Sequence, residues 1–155
     1  MDLHETTSAL TGYLLTHTAA TVDRQADQVL QERLGIGTSQ FRILQVLHQT
    51  PHILQRVLAD DLGQTEASIS RQAKLLLEKG FITARVNPES KREHIMQLTP
   101  KGIQITEAAQ EVMAQYFASL FAGMSTKERA ELQRDIQTLH DQVCLSGTSY
   151  PHVAS

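Results

Sequence analysis

Short polar and cationic side chains recur along one side of the segment from Thr65 to Lys79. They are Ser68, Ser70, Arg71 and Lys74. Hydroxyl groups can donate hydrogen bonds to base edges or accept them, and cations can neutralise phosphates. Carried on a single helix, these groups would form a surface narrow enough to enter the major groove of a DNA duplex.

The apolar residues of the same segment predict that helix. They recur at i, i+4, i+7 and i+8, which makes one apolar face. These residues are Ile69, Ala73, Leu76 and Leu77. Gly80 follows at the point where helices commonly end in a left-handed residue, so we expect the helix to end just before it.

Two strand-like runs follow Gly80, and they predict a β-hairpin. The runs are Phe81 to Val86 and His94 to Leu98. The loop between them, residues 87–92, begins with the turn residues Asn-Pro and ends with the adjacent cations Lys91 and Arg92. A hairpin with a basic tip could reach the minor groove beside a helix in the major groove.

The elements upstream complete a helix-turn-helix. Gln55 to Leu62 is typical of a short helix, with Val57, Leu58 and Leu62 facing inward. Residues 63–64 then provide a tight, glycine-containing turn into the helix that begins at Thr65. In a helix-turn-helix the second helix reads the DNA.

A long first helix is predicted from Leu3 to Leu34, and the glycines of residues 35–37 end it. We expect Thr38 and Ser39 to cap a second helix, which Pro51 ends. The inner face of this second helix would consist of Phe41, Leu44 and Leu47.

After the hairpin, Thr99 and Pro100 predict the start of a long helix to about Phe121. The sequence from Ser125 to Glu128 has the spacing of a capping box and opens a last helix. That helix carries a coiled-coil-like seam, Leu132, Ile136, Leu139 and Val143. Long terminal helices with apolar stripes suggest a dimerisation platform, and the alternative is that they fold back over their own domain.

The predicted fold is therefore mostly α with a small β-hairpin wing: a winged helix-turn-helix whose N- and C-terminal helices form a dimerisation platform. Its expected parts are an N-terminal dimerisation helix (1–36), the winged DNA-binding domain (37–102), C-terminal dimerisation helices (103–146) and a flexible tail (147–155).

Composition sets limits on the class of protein. The chain has 155 residues, of which 41% are hydrophobic and 5% aromatic, so aliphatic side chains must fill its core. Its apolar runs are too short to span a bilayer, and no secretory signal precedes them. A single cysteine, Cys144, excludes an intrachain disulfide and fits a reducing cytoplasm.

The formal net charge of −3 disfavours nucleic acid when the chain is taken as a whole, but the charge is unevenly distributed. From residue 64 to residue 92 there are six cations and three acids, a local charge of +3, which leaves −6 for the remainder. A basic segment inside an acidic chain is the footprint expected of a DNA-binding element.

The residues from Gly37 to Gly102 resemble those of the MarR family of winged-helix regulators. The resemblance is carried by Leu58-Ala59, Leu62-Gly63, Ser68-Ile69-Ser70-Arg71, Leu76, Glu78-Lys79-Gly80-Phe81-Ile82, Arg85, Lys91-Arg92 and Leu98-Thr99-Pro100-Lys101-Gly102. It implies a homodimeric DNA-binding transcriptional regulator, usually a repressor, whose hold on its operator is often loosened by a small molecule or an oxidant.

The resemblance also implies roles for individual residues. It places Ser68, Ser70, Arg71 and Gln72 in the major groove, with Arg71 and Lys74 also contacting phosphate. It places Lys91 and Arg92 at the wing tip in the minor groove, and Ser39 and Gln40 against phosphate at a helix start. Arg85 would hold the base of the wing through a salt bridge.

Two residues depart from the family pattern. Ser90 stands where many members have an acid just ahead of the wing cations, so we expect the wing here to be looser or anchored differently. Leu54 stands where the third helix commonly begins with Thr or Ser, so a cap typically worth about 1 kcal/mol must come from elsewhere or be missing.

An effector site is also implied by the resemblance, at a cleft that takes aromatic acids in the family. The candidate residues are Tyr13, His17 and His48, expected where the first and second helices meet the fifth. Among the seven histidines, His48 and His52 are four residues apart, but Pro51 lies between them and breaks the helix that would align them. No HExxH motif is present, so no metal or other cofactor is predicted, although a metal sensor assembled by tertiary contacts stays open.

Catalysis is not expected, because the chain has neither a glycine-rich phosphate loop after a strand nor a nucleophile elbow. Cys144 lies late in the last helix and is expected to be an inert thiol; oxidant sensing is the alternative.

We therefore expect a homodimeric sequence-specific transcriptional regulator, a repressor released by a small aromatic or anionic effector. The alternative is a helical dimerisation or protein-interaction module that does not bind DNA.

Overall fold

The computed structural model describes residues 3–144, with side chains from residue 7 to residue 143. It contains six helices and three strands, in the order α1 (Leu3–Leu34), α2 (Thr38–Gln49), β1 (Ile53–Leu54), α3 (Gln55–Asp61), α4 (Glu66–Glu78), β2 (Ile82–Asn87), β3 (Ser90–Leu98), α5 (Pro100–Leu120) and α6 (Thr126–Cys144). This confirms the mostly helical winged fold. The predicted tail, residues 147–155, and the side chain of Cys144 lie outside the described residues.

The core is formed by the second half of α1, by α2, α3 and α4, by the base of the sheet and by the middle of α5. The apolar face predicted for α2 is confirmed, since Phe41, Leu44 and Leu47 are all buried. The largest fully buried side chains are Leu30, Ile36, Ile43, Leu44, Leu47, Leu58, Ile69, Leu76, Met96 and Thr106. One continuous core therefore holds both helices of the helix-turn-helix and the base of the wing.

The start of α2 differs from the prediction. Gly37, not Thr38 or Ser39, is the N-cap residue, and it has no side chain to cap with. Asp27 of α1 does this instead: its Oδ1 atom accepts hydrogen bonds from the backbone nitrogen of Thr38 at 2.8 Å and from the Thr38 hydroxyl at 3.2 Å. A carboxylate from the preceding helix therefore satisfies the first N–H of α2.

The sheet is more extensive than predicted. Strand β3 begins at Ser90, so Lys91 and Arg92 lie on a strand beside a tight turn and not in a six-residue loop. Strand β1 was not predicted; it pairs antiparallel with β3, giving the strand order β1-β3-β2. Leu54, the second residue of β1, is also the N-cap of α3 without a side-chain cap, so the cap missing from the sequence is missing from the structure.

The terminal helices leave apolar surface exposed. Every described side chain from residue 7 to residue 20 of α1 is exposed, and so is most of α6. The exposed large apolar side chains on these helices and on the end of α5 are Leu10, Tyr13, Leu14, Leu15, Phe117, Leu120, Ile136, Leu139 and Val143. Within the described range α6 does not pack extensively against any other element, so α6 does not fold back over its own domain. The second half of α1, by contrast, packs against α5 in the same chain.

The capping signals of α5 and α6 are confirmed. The Thr99 hydroxyl accepts from the backbone nitrogen of Gly102 at 3.0 Å, and Pro100 occupies the first turn. Ser125 and Glu128 form the reciprocal capping box, with bonds of 2.8 and 3.2 Å. The backbone N–H of Ser125, and then its hydroxyl, hold the pKa of Glu128 below the ordinary carboxyl value by hydrogen bonding to the ionised form.

Candidate nucleic-acid interface

Helix α4 is held against the core by one face, as the sequence predicts for most of its length. Ile69, Ala73 and Leu76 are buried. Leu77 is 41% exposed, so its assignment to the buried face was wrong. At 100° per residue Leu77 lies well to the side of the line through the other three, and the core does not extend that far.

The opposite side of α4 faces solvent. Ser70, Arg71 and Lys74 are exposed, while Ser68 and Gln72 are half-buried at its edges. Neither Arg71 nor Lys74 forms an ion pair with any acid among the described residues. Their charges are therefore free to meet a polyanion.

Sequence reasoning missed Gln64, which lies just before the N-terminus of α4. The Thr65 hydroxyl caps the helix by accepting from the backbone nitrogen of Ser68 at 3.2 Å. The Ser68 hydroxyl, in turn, donates to the side-chain Oε1 of Gln64 at 3.1 Å. Gln64 belongs to the turn, and its four-residue spacing from Ser68 was the only sequence signal that could have drawn attention to it.

The C-terminus of α4 is tied to the start of α5. Gly80 adopts a left-handed backbone with φ +72°, which ends the helix as predicted. The Thr99 hydroxyl donates to the carbonyl of Gly80 at 2.7 Å, and Lys101 Nζ donates to the carbonyl of Lys79 at 3.0 Å. Lys79 Nζ reaches back to the carbonyl of Gly35, so the end of α4 is also linked to the turn between α1 and α2.

Gly102 makes the contact between α5 and the end of α4 possible. A Cβ atom at this position would lie 1.8 Å from the carbonyl oxygen of Phe81, a distance no side chain can occupy. The backbones of α5 and of the segment after α4 therefore approach each other too closely for any residue but glycine.

The wing is anchored by Glu93. One carboxylate oxygen lies 3.7 Å from Arg56 Nε of α3, and the other accepts from Asn87 Nδ2 at 3.0 Å. Arg85 is exposed and forms no ion pair with a described acid, so the expectation that Arg85 anchors the wing was wrong. Glu93 supplies the carboxylate that Ser90 cannot, and the wing is anchored differently from the family pattern.

The remaining predicted DNA contacts differ in exposure. Lys91 and Arg92 are exposed on β3 beside the turn. Ser39 is half-buried, whereas Gln40 is only 6% exposed, and its Oε1 atom has no hydrogen-bond partner among the described residues. This burial counts against a phosphate contact by the Gln40 side chain.

The structure does not gather the three predicted effector residues into one pocket. Tyr13 stacks on His17 with ring centroids 5.5 Å apart, on the exposed half of α1. His48 lines a separate, open cavity of about 290 Å³, together with Leu47, Pro51, His52, Gln97, Leu98 and Ile103. Among the described residues, no three His, Cys, Asp or Glu side chains lie close enough together to hold a metal ion.

The helix-turn-helix packs into the core by one face of α4, the other face of α4 exposes cations to solvent, and a β-hairpin follows. This arrangement defines a winged helix-turn-helix protein. None of the helices between residues 3 and 144 is long and apolar enough to cross a membrane. Residues 34–93 match the family model described as "MarR family".

Curated relatives agree with that match. The chain is 31% identical to the multiple antibiotic resistance protein MarR of Escherichia coli over 101 residues, which cover 61% of this chain and 67% of that protein. It is 27% identical over 95 residues to the uncharacterised HTH-type transcriptional regulator YdgJ of Bacillus subtilis, covering 61% of this chain but only 58% of that protein.

Solved structures show the same fold. A crystal structure of MarR superposes with a TM-score of 0.76 at 24% identity, covering 83% of this chain and 90% of that one. A mutant MarR from Escherichia coli complexed with operator DNA superposes with a TM-score of 0.73 at 24% identity, covering 90% and 99%. The chain belongs to the MarR family of winged helix-turn-helix transcriptional regulators, a family of regulators and not of enzymes.

Proposed function

We propose that this protein is a homodimeric repressor that binds an inverted-repeat operator through α4 and the wing. One observation carries the proposal. Helix α4 buries an entirely apolar face in the core and turns towards solvent a face whose cations, Arg71 and Lys74, have no acidic partner among the described residues. Surface cations without an acidic partner remain available to neutralise the phosphates of a DNA duplex.

The division of labour follows from side-chain chemistry. Arg71, Lys74, Lys91 and Arg92 neutralise phosphates and supply most of the affinity. Ser39 is assigned to phosphate at the start of α2, whereas the side chain of Gln40 is buried and is left out of the interface. Ser68, Ser70 and Gln72 read base edges in the major groove. The fold shared with the MarR complexed with operator DNA supports this arrangement.

The dimer is proposed from the exposed apolar surface of α1, α5 and α6. Leu132 is half-buried, and Ile136 and Leu139 are 49% and 38% exposed along one seam of α6. Apolar side chains repeated along a helix that packs against no other described element extensively suit a second copy of the chain. A two-fold dimer would place its reader helices about 34 Å apart, so the operator should be an inverted repeat. Cytoplasmic action follows from this role.

A small effector that releases DNA is also part of the proposal. The cavity at His48 combines apolar walls with imidazole and amide groups, which suits a small aromatic or anionic molecule. Gln97 and Leu98, the last residues of β3, form one wall, so a ligand there would touch the base of the wing. Tyr13 and His17 provide a second apolar and basic patch on α1.

Fluorescence anisotropy with operator duplex, selected from a random pool, tests the DNA-binding role. Arg71→Ala should weaken binding to all sequences, whereas Lys127→Ala, which removes an 85% exposed cation on α6, should leave affinity unchanged within error. Equal affinity of the Arg71 variant and the wild type would show that α4 is not the reader helix. Failure of the wild type to bind any duplex at low salt would favour the protein-interaction module.

A further inference from the structure

Gln64 and Ser68 are fixed to each other at the entrance of the reader helix. The Ser68 hydroxyl donates to Gln64 Oε1 at 3.1 Å. The backbone on both sides is held independently: Gln64 N donates to the carbonyl of Ala59 at 3.0 Å, and Ser68 N donates to the Thr65 hydroxyl at 3.2 Å. Both side chains are half-buried, so each keeps part of its surface open to a ligand.

This bond assigns a hydrogen-bonding polarity to each side chain. A serine hydroxyl has one proton, and Ser68 gives it to Gln64, so only acceptor lone pairs remain on the Ser68 oxygen. The carboxamide oxygen of Gln64 uses one of its two lone pairs in that bond, while its two N–H groups have no partner within the described part of the chain. Gln64 therefore presents donors and Ser68 presents an acceptor.

The position suits base reading. In a helix-turn-helix, residues at the N-terminus of the second helix contact base edges in the major groove. Gln64 immediately precedes the N-cap Thr65, and Ser68 lies one turn into the helix. Ser70 offers a contrast, because its exposed hydroxyl has no partner among the described side chains and can turn to donate or to accept.

We propose that Gln64 is a specificity-determining residue that acts as a unit with Ser68, an inference that rests on the proposed DNA-binding function. The Gln64 amide donates to a base that presents acceptors in the major groove, either guanine through O6 and N7 or thymine through O4. Ser68 accepts from a base that presents an amino group, either adenine or cytosine. The polarity of the pair, and not the cationic surface, selects the bases at these two positions.

Selection of binding sites from a randomised duplex pool tests the inference with three variants. Gln64→Glu keeps an acceptor for the Ser68 hydroxyl but removes both N–H donors, so it should lose the preference for the acceptor base and keep the preference at Ser68. Gln64→Ala frees the Ser68 hydroxyl and should relax both positions. Gln104→Ala, which removes an exposed carboxamide on α5 outside the interface, is the comparison variant and should keep both preferences.

The expected size is that of single hydrogen bonds. Each lost preference should reduce discrimination between the selected base and its replacement by roughly 3- to 10-fold. Non-specific affinity, measured on a duplex without the site, should be the same for Gln64→Ala and the wild type, because no cation is removed. Circular dichroism checks that the variants keep the helical content of the wild type.

Two outcomes separate this inference from the proposed function. If the wild type selects a consensus and both Gln64 variants select the same consensus with the same discrimination, the pairing of Gln64 with Ser68 does not read bases and the inference is overturned. If the wild type selects no sequence over the random pool, sequence-specific DNA binding itself is overturned, and the inference falls with it.

Discussion

The salt dependence of DNA binding should report how many cations each chain brings to the duplex. Four exposed cations per chain, Arg71, Lys74, Lys91 and Arg92, give a dimer eight phosphate contacts. Affinity falls with salt with a logarithmic slope of about −0.9 per neutralised phosphate, so we expect a slope of about −7 for the wild type. Replacing Lys91 and Arg92 by alanine removes half of these contacts and should bring the slope to about −3.6.

These slopes predict a large difference in a simple titration. Between about 50 mM and about 200 mM salt, the wild type should lose roughly 20,000-fold in affinity and the double variant roughly 150-fold. Fluorescence anisotropy with one labelled operator duplex, titrated at several salt concentrations, measures both. The control is Lys127→Ala on α6, which should keep the wild-type slope. A double variant with the wild-type slope would show that the wing does not contact phosphate.

Three further changes test the fold around the interface. Gly102→Ala introduces a Cβ atom 1.8 Å from a backbone oxygen and should lower the free energy of unfolding by roughly 1–3 kcal/mol. The control, Gly123→Ala, has no atom within 4 Å of the added carbon and should stay within about 0.5 kcal/mol of the wild type. Urea denaturation compares the two variants, and equal stability would refute the close approach at Gly102. Glu93→Ala removes the ion pair that links the wing to α3 and the Asn87 hydrogen bond within the wing, and it should speed hydrogen exchange in β2 and β3. Unchanged exchange would show that the wing is held by its backbone alone. Leu132→Glu combined with Ile136→Glu should give monomers by sedimentation that bind operator only weakly, and a surviving dimer would place the platform elsewhere.

Local signals in the sequence were sufficient for the helices and most of their ends. The first helix was predicted with the bounds that the structure has, Leu3–Leu34, and the caps at Thr99 and at Ser125 with Glu128 are present. These features depend on residues within four positions of one another. Their physical cause is therefore visible in a short window of sequence.

Contacts between distant residues account for the errors. Asp27 satisfies the start of α2 from another helix, eleven residues away, and no pattern within α2 announces it. Strand β1 has only two residues, and it exists because β3, more than forty residues later, supplies its hydrogen bonds. The resemblance to the family pattern favoured Arg85 as the wing anchor, but a carboxylate three residues after Ser90 reaches Arg56 instead.

The candidate interface was predicted in outline and less well in detail. The helical spacing of the apolar residues was enough to separate the buried face of α4 from the face that carries Arg71 and Lys74. Periodicity could not show that Gln40 lies inside the fold or that the Ser68 hydroxyl is bound to Gln64. Both depend on side-chain positions that only tertiary packing fixes.

The spacing of the two half-sites tests the central claim most directly. In an operator selected from random duplexes, inserting five base pairs between the half-sites moves one of them to the opposite side of the helix. If two copies of this chain place their reader helices in major grooves one turn apart, the duplex with the insertion should bind no more tightly than non-specific DNA. In the control duplex, base pairs outside the half-sites are substituted without changing the spacing, and its affinity should equal that of the original operator. Wild-type affinity for the five-base-pair insertion would contradict a dimer that reads both half-sites at once.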